Sequence, residues 1–319
     1  MRFVCTVVPE PFAERLADYP SLSLQMIAFP NTPADIPESR IHALIQLLNE
    51  TDPHIVQTIH HHLLMIGPPA LPHLRWAKQA YPHLSAQLTH LIEHIHDTHL
   101  EQAFKELSKP DNPSIDLETG AFLIARTAYP ELAIDQYRAR LDEMAETLRT
   151  QIGPTCHLKT AIQIVNHYLF HEQGFRGNRQ DYYDPDNSFL NVVLDRRVGI
   201  PISLSVLYLL IGYRLRLPVV GVGMPGHFIV GVPSISLYID CFHGGTLLTD
   251  ADCARTLREL GYGFDARYLQ PTSHKQILAR MLRNLIAIFT HHQDTHHVTR
   301  YTRFLSIIES LTTSKTGDP

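Results

Sequence analysis

The chain has 319 residues, 44% of them hydrophobic and 18% charged, which is the composition of a folded protein and excludes a disordered or fibrous one. That length favours two or three modules over a single core. Net charge is −5, from 27 basic and 32 acidic residues, and no basic run marks a phosphate-backbone footprint, so nucleic acid is not an expected partner.

At the N-terminus, Met1–Cys5 is followed at once by Pro9, Glu10 and Pro11. That apolar region is too short for a secretory leader, which leaves a cytoplasmic protein as the expectation. Residues 1–105 read as all-helical. Ile41, Leu44, Ile45 and Leu48 fall on one face of a helix that stops at Asn49–Pro53. A second helix is expected from His54 to Met65, ended by Gly67-Pro68-Pro69, and a third pattern runs from Ala70 to Ala77. Helix, Asp-Pro turn, helix and Gly-Pro in that order resemble one HEAT-type repeat, and an ordinary helical bundle fits equally. Helical signals resume from Asp116 to Gln151, broken at Pro130, and again from Thr160 to His171. Residues 174–187 are turn-rich and aromatic, with Tyr182 and Tyr183 expected as packing residues.

Beyond Pro218 the period shortens. Val219–Val222, His227–Val232 and Leu237–Asp240 read as strands. Lys275–Phe289 and Thr299–Leu311 close the chain as a helical hairpin, with a loose tail after Thr312. The expected class is α+β, with an antiparallel sheet and a core at 106–272 between the helical region and a hairpin at 273–319. The four cysteines (5, 156, 241 and 253) form no CxxC pair and read as reduced thiols. Of the 21 histidines, the pairs 291–292 and 296–297 are the ones spaced to chelate a metal if His292 and His296 share a helix; solvated surface is the alternative.

Chemistry concentrates between Asn187 and Asp240. Gly199-Ile200-Pro201-Ile202-Ser203-Leu204-Ser205 leads into an apolar helix from Val206 to about Leu215. A helix apolar all round belongs inside a domain, and its N-terminus brings partial positive charge to two hydroxyls. His227 follows a Pro225-Gly226 turn, and Asp240 ends another strand thirteen residues on. Antiparallel neighbours would set that carboxylate beside the imidazole.

Several ordered motifs, Tyr183–Asn191, Arg196–Ser205, Pro225–Phe228, Ile239–Gly245 and Leu278–Leu285, together resemble the bacterial SirB-type transglutaminase-like family over roughly residues 110–290. The resemblance implies a transglutaminase- or papain-like core, and a C-terminal part continuing as tetratricopeptide-like helices, here cut to one hairpin. Enzymes of the wider superfamily that this resemblance implies have a cysteine at the start of the central helix, where this chain has Ser203, or Ser205 with slippage. Cys241 and His243 stand where the family pattern has Pro and Asn. A serine hydroxyl ionises far above neutral pH and gains nothing comparable from a helix end. Two readings follow. One is a module that binds another protein or peptide without cysteine-dependent catalysis. The other is an amide or ester hydrolase or acyltransferase with Ser203 as nucleophile, His227 as base and Asp240 as orienter. Asn187, Asn191 and Arg197 are expected either to brace the loop over the site or to hold the turn before the helix. Cys156 is a rival nucleophile by position alone. With one histidine and one carboxylate in the motif, no metal or other cofactor is expected.

Overall fold

A computed structural model of the protein describes residues 37–108 and 115–310. The expectations for Met1–Pro11 and for the tail after Thr312 lie outside the described residues. The chain divides into two compact units, Met1–Ile92 and Glu93–Pro319.

In the first unit, α1 (Glu38–Gln46), α2 (Pro53–Ile66) and α3 (Leu71–Ala80) follow the expected helices within three residues, and α4 (Ser85–Leu107) begins. The Asp52 carboxylate accepts the His54 amide at 2.8 Å while Pro53 takes the first helical position, which starts α2 at that residue. Gly67, at φ 69°, ends it. α1 packs on α2 and α3 through Ile41, Leu44, Ile45, Ile59, Leu63 and Leu74.

The second unit is mostly helical with a small antiparallel sheet. α5 (Leu117–Ala128), α6 (Ile134–Ile152), α7 (Leu158–Asn166, continued by a wider turn to Glu172) and α8 (Leu190–Arg196) precede α9 (Pro201–Arg214). All twelve residues from Pro201 to Gly212 are buried, as expected for a helix apolar on every side. α9 packs against α5, α6 and α8, and against α11 (His274–His291). It also meets two strands of the five-stranded sheet ordered β6-β5-β4-β3-β7. These strands are β3 (Val220–Val222), β4 (Ile229–Val232), β5 (Leu237–Asp240), β6 (Thr246–Leu248) and β7 (Pro271–Thr272). A separate parallel pair joins β1 (Arg176–Gly177) to β2 (Val198–Gly199). β4 and β5 are paired with Val230 opposite Ile239 and Gly231 opposite Tyr238. His227 therefore precedes β4 by two residues and does not open it.

Thr249 and Asp252 form a capping box that starts α10 (Asp250–Glu259), a helix additional to those expected from the sequence. α11 opens with a second such box, Ser273 with Gln276, and packs against α12 (Thr295–Ser310) and α5. The hairpin thus belongs to the same compact unit as the core. His292 ends α11, the chain turns at Gln293 (φ 60°), and His296 lies in α12. His292 and His296 therefore do not share a helix, the condition that chelation by this pair required. Among the described residues no helix is long and apolar enough to cross a membrane.

Candidate functional site

A cleft of about 330 Å³ lies where the start of α9, the turn before β4 and α11 meet, with the 181–187 loop on one side. Its walls are Tyr182, Tyr183, Ile200–Ile202, Gly226–Phe228, and Arg280, Asn284, Ala287 and Ile288 of α11.

The histidine is placed by a tight turn. Gly226 has φ 71°, a left-handed conformation that favours glycine, and the His227 amide closes back on the Met224 carbonyl at 3.2 Å. One guanidinium nitrogen of Arg280 donates to the carbonyls of both Met224 (2.7 Å) and His227 (2.8 Å), which fixes the ends of that turn. His227 Nε2 lies 2.9 Å from Asp240 Oδ2. The same oxygen lies 2.8 Å from His243 Nδ1. Oδ1 accepts the amides of Phe242 and His243, each at 3.1 Å. Asp240 is 4% exposed, so burial raises its pKa. The bonds and charges of His227 and His243 outweigh that and hold it below the usual carboxylate range. An ionised Asp240 accepts from Nε2–H of His227 and so fixes the orientation of the ring; in the neutral ring the acceptor nitrogen is then Nδ1.

Ser203 stands apart from this network. Its hydroxyl donates to the Asn187 carbonyl at 2.6 Å and accepts the Ile200 amide at 3.0 Å, and the residue is 1% exposed. It sits third in α9, where it satisfies the N-cap amide, and it makes no hydrogen bond to His227. The predicted Ser203-His227-Asp240 series is therefore not assembled. A Cβ on Gly199 would come within 2.7 Å of that hydroxyl, so glycine there leaves room for the cap. Ser205 is equally enclosed, its hydroxyl 3.4 Å from the Phe228 carbonyl. The α9 residues that do line the cleft beside His227 are Pro201 and Ile202, preceded by Ile200. None of them is a nucleophile.

Asn187 braces the loop from beneath. Its Nδ2 donates to the Asp181 carbonyl at 2.7 Å and its Oδ1 accepts from Asn178 at 3.0 Å. Asn191 is buried with Oδ1 unpartnered among the described residues, and it lines a different depression with Tyr129 and Tyr137. Arg197 is exposed; it ends α8 in a left-handed conformation (φ 58°), and its carbonyl accepts the Arg176 amide. Cys241 is fully buried, and burial pushes its thiol far above the ordinary value. Cys253 is pushed up to about 12 for the same reason. Neither supplies a thiolate. Cys156 is absent from the cleft wall.

Four features escaped the sequence reading. His243 joins the network from three residues beyond Asp240. Tyr182 and Tyr183, expected as packing, are 39% and 43% exposed on the cleft wall. Arg280 and Asn284 line it from α11. His227, Asp240 and His243 also bring one potential ligand atom each within 4.8 Å of one another, the spacing of a two-histidine, one-carboxylate metal set. The premise that no second imidazole joins the pair does not hold. A divalent ion there would have to displace the protons now shared with Asp240.

The profile of the transglutaminase-like superfamily matches residues 135–283, which include α9, the His227 turn and the whole five-stranded sheet. A UPF0162 protein of Xylella fastidiosa (strain Temecula1) is 37% identical over 195 residues, covering 58% of this chain and 69% of that protein. The chain belongs to the UPF0162 family. A second UPF0162 protein, from Vibrio cholerae, is 27% identical over 141 residues, 43% of this chain and 52% of its own. Human F-box only protein 21 is 35% identical over 214 residues, 57% of this chain and 33% of that protein. No solved structure matches the chain. In this UPF0162 member most of the cleft wall lies within the matched transglutaminase-like region, with Asn284, Ala287 and Ile288 just beyond it.

Proposed function

We propose that the chain is a SirB-type, transglutaminase-like module that binds another protein or peptide in the His227 cleft and does not perform cysteine-dependent acyl transfer. One observation carries this reading: the residues of α9 that reach the cleft beside His227 are Pro201 and Ile202, while the nearby hydroxyl of Ser203 is buried and spent on the helix start. Acyl transfer needs a nucleophile within hydrogen-bond reach of its base. Tyr182 and Tyr183 suit the alternative, since half-exposed aromatic rings give a peptide large contact area at little entropic cost. The match to one third of F-box only protein 21 fits a domain used as a module within a longer chain. The N-terminal helices, read as HEAT-like, would add a second interaction surface.

The test is covalent. Wild-type protein and His227→Ala are treated with a fluorophosphonate and with iodoacetamide, and labelled residues are located by mass spectrometry. No labelling at Ser203 is expected, and none elsewhere that requires His227. His227-dependent labelling of Ser203 or Ser205 would restore the hydrolase reading.

A further inference from the structure

We infer that the His227 cleft receives its peptide through a carboxylate and that Arg280 is the group that receives it. This rests on the binding-module reading and adds the chemistry of the ligand.

Among the described residues Arg280 is a cation without an anion. One nitrogen is occupied by the Met224 and His227 carbonyls; Nε and the other terminal nitrogen make no hydrogen bond among the described residues. The ionisable groups that act on it are Tyr182, Arg283 and Tyr262, with no carboxylate among them, and burial draws its pKa below the ordinary arginine value. Its nearest aromatic face is Phe228, 5.5 Å from the guanidinium carbon. Two other enclosed arginines of this unit are neutralised, Arg214 by Glu118 and Asp142 and Arg300 by Asp97, whereas Arg126 meets only the Leu132 carbonyl among the described residues and lies outside the cleft. A guanidinium taken partly out of water without a counter-charge is costly, and an anionic ligand relieves that cost.

The surroundings select the anion. Arg280 is the one formally charged residue on the cleft wall, which holds no lysine and no second arginine. Arg283 is paired with Glu309. A phosphate dianion is generally met by several cations, whereas one guanidinium with spare N–H donors suits a singly charged carboxylate. Asn284, one helical turn along α11, presents an amide to the same cleft. The walls of Tyr182, Ile202 and Ile288 are aromatic or aliphatic and suit the carbon frame behind the charge.

Full-length protein is immobilised and exposed to random tetrapeptides made in two pools, one with free C-terminal carboxylates and one amidated, and retained peptides are read by mass spectrometry. Acid-bearing peptides should be enriched about tenfold over neutral ones. Enrichment confined to the free-carboxylate pool identifies the chain terminus; enrichment of Asp- or Glu-containing members in both identifies a side chain. Arg280→Met should abolish the preference and Arg280→Lys should keep part of it. Because Arg280 also braces the His227 turn, Asn284→Ala is read alongside, with weaker retention of acidic peptides at unchanged melting temperature. Acetyl-Glu-amide or acetyl-Ala should displace retained peptide from the wild type better than acetyl-Gln-amide or acetyl-Ala-amide. Peptides retained without any preference for acid would overturn the role of Arg280 and leave the binding reading in place. No retention from either pool would overturn both.

Discussion

The two walls of the cleft differ in kind. On the strand side, His227, Asp240, His243 and two turn amides form a network in which both carboxylate oxygens are satisfied. On the α9 side, Pro201 and Ile202 present only carbon, and the hydroxyls of Ser203 and Ser205 are turned to backbone carbonyls. A buried carboxylate must be paired or the fold suffers, so the network sustains itself without any catalytic demand. A nucleophile has no such structural anchor. An orienting pair is therefore weak evidence for turnover when the residue it would serve is missing.

The largest expected effect tests whether the helix side is a packed rod. Leu207 is 1% exposed in the middle of α9. Leu207→Asp should cost several kcal/mol, because an unpaired charge replaces a buried side chain, and should unfold the second unit. Near-wild-type melting would remove α9 from the centre of the domain.

On the strand side, Asp240→Asn keeps the shape and removes the charge. A loss of about 1–3 kcal/mol in urea unfolding at neutral pH is expected, as bonds to an ionised acceptor are lost. The pH dependence sharpens this. Folding lowers the Asp240 pKa below its ordinary 3.8. Its contribution is therefore full above that value and is lost as pH falls through the lower folded value. Wild type should lose stability along that acid limb more steeply than Asp240→Asn. Parallel curves would show that the carboxylate is not held by its histidines.

A smaller effect separates the positions at the start of α9. Cysteine placed at Pro201 joins the cleft wall beside His227 at a helix N-terminus, whereas cysteine at Ser203 inherits a buried cap. Pro201→Cys should alkylate with iodoacetamide about tenfold faster than Ser203→Cys, with a depressed thiol pKa. The reverse order would return Ser203 to the cleft.

What was legible in the sequence follows from the range of the forces involved. The buried α9 stood out as an unbroken apolar run, and the pairing of His227 with Asp240 followed from two short strands and a Pro-Gly turn. The face of α9 that meets the cleft was not legible. Successive helix residues turn by 100°, so whether Pro201 or Ser203 faces His227 is decided by the Asn187 carbonyl, sixteen residues from Ser203. Strands of two or three residues such as β1, β2, β6 and β7 are shorter than any period that could announce them. His243 had a local signal, a histidine three residues past the aspartate in a turn ending Gly244-Gly245. Arg280, 53 residues from His227, lies in the Leu278–Leu285 motif, but nothing in its neighbours along the chain announced that it would meet the His227 turn.

The smallest expected change falls on α9 itself, at the one hydroxyl there without a partner. Tyr208 is fully buried, and its OH has no hydrogen bond among the described residues. Burial pushes its pKa well above the ordinary phenol value, so it stays neutral and gains nothing by ionising. Its ring is stacked near Phe170 at 6.4 Å between centroids, an aromatic contact that a phenylalanine ring in its place would keep. Tyr208→Phe deletes one oxygen and no carbon, so the apolar packing is preserved while the desolvation cost of an unpaired hydroxyl is removed. The variant should be neutral or up to about 1 kcal/mol more stable, seen as an unchanged or higher urea midpoint with the same slope. A loss of more than about 1 kcal/mol would mean that the hydroxyl holds a buried water, and the packing around α9 would then include a polar contact in an otherwise apolar setting.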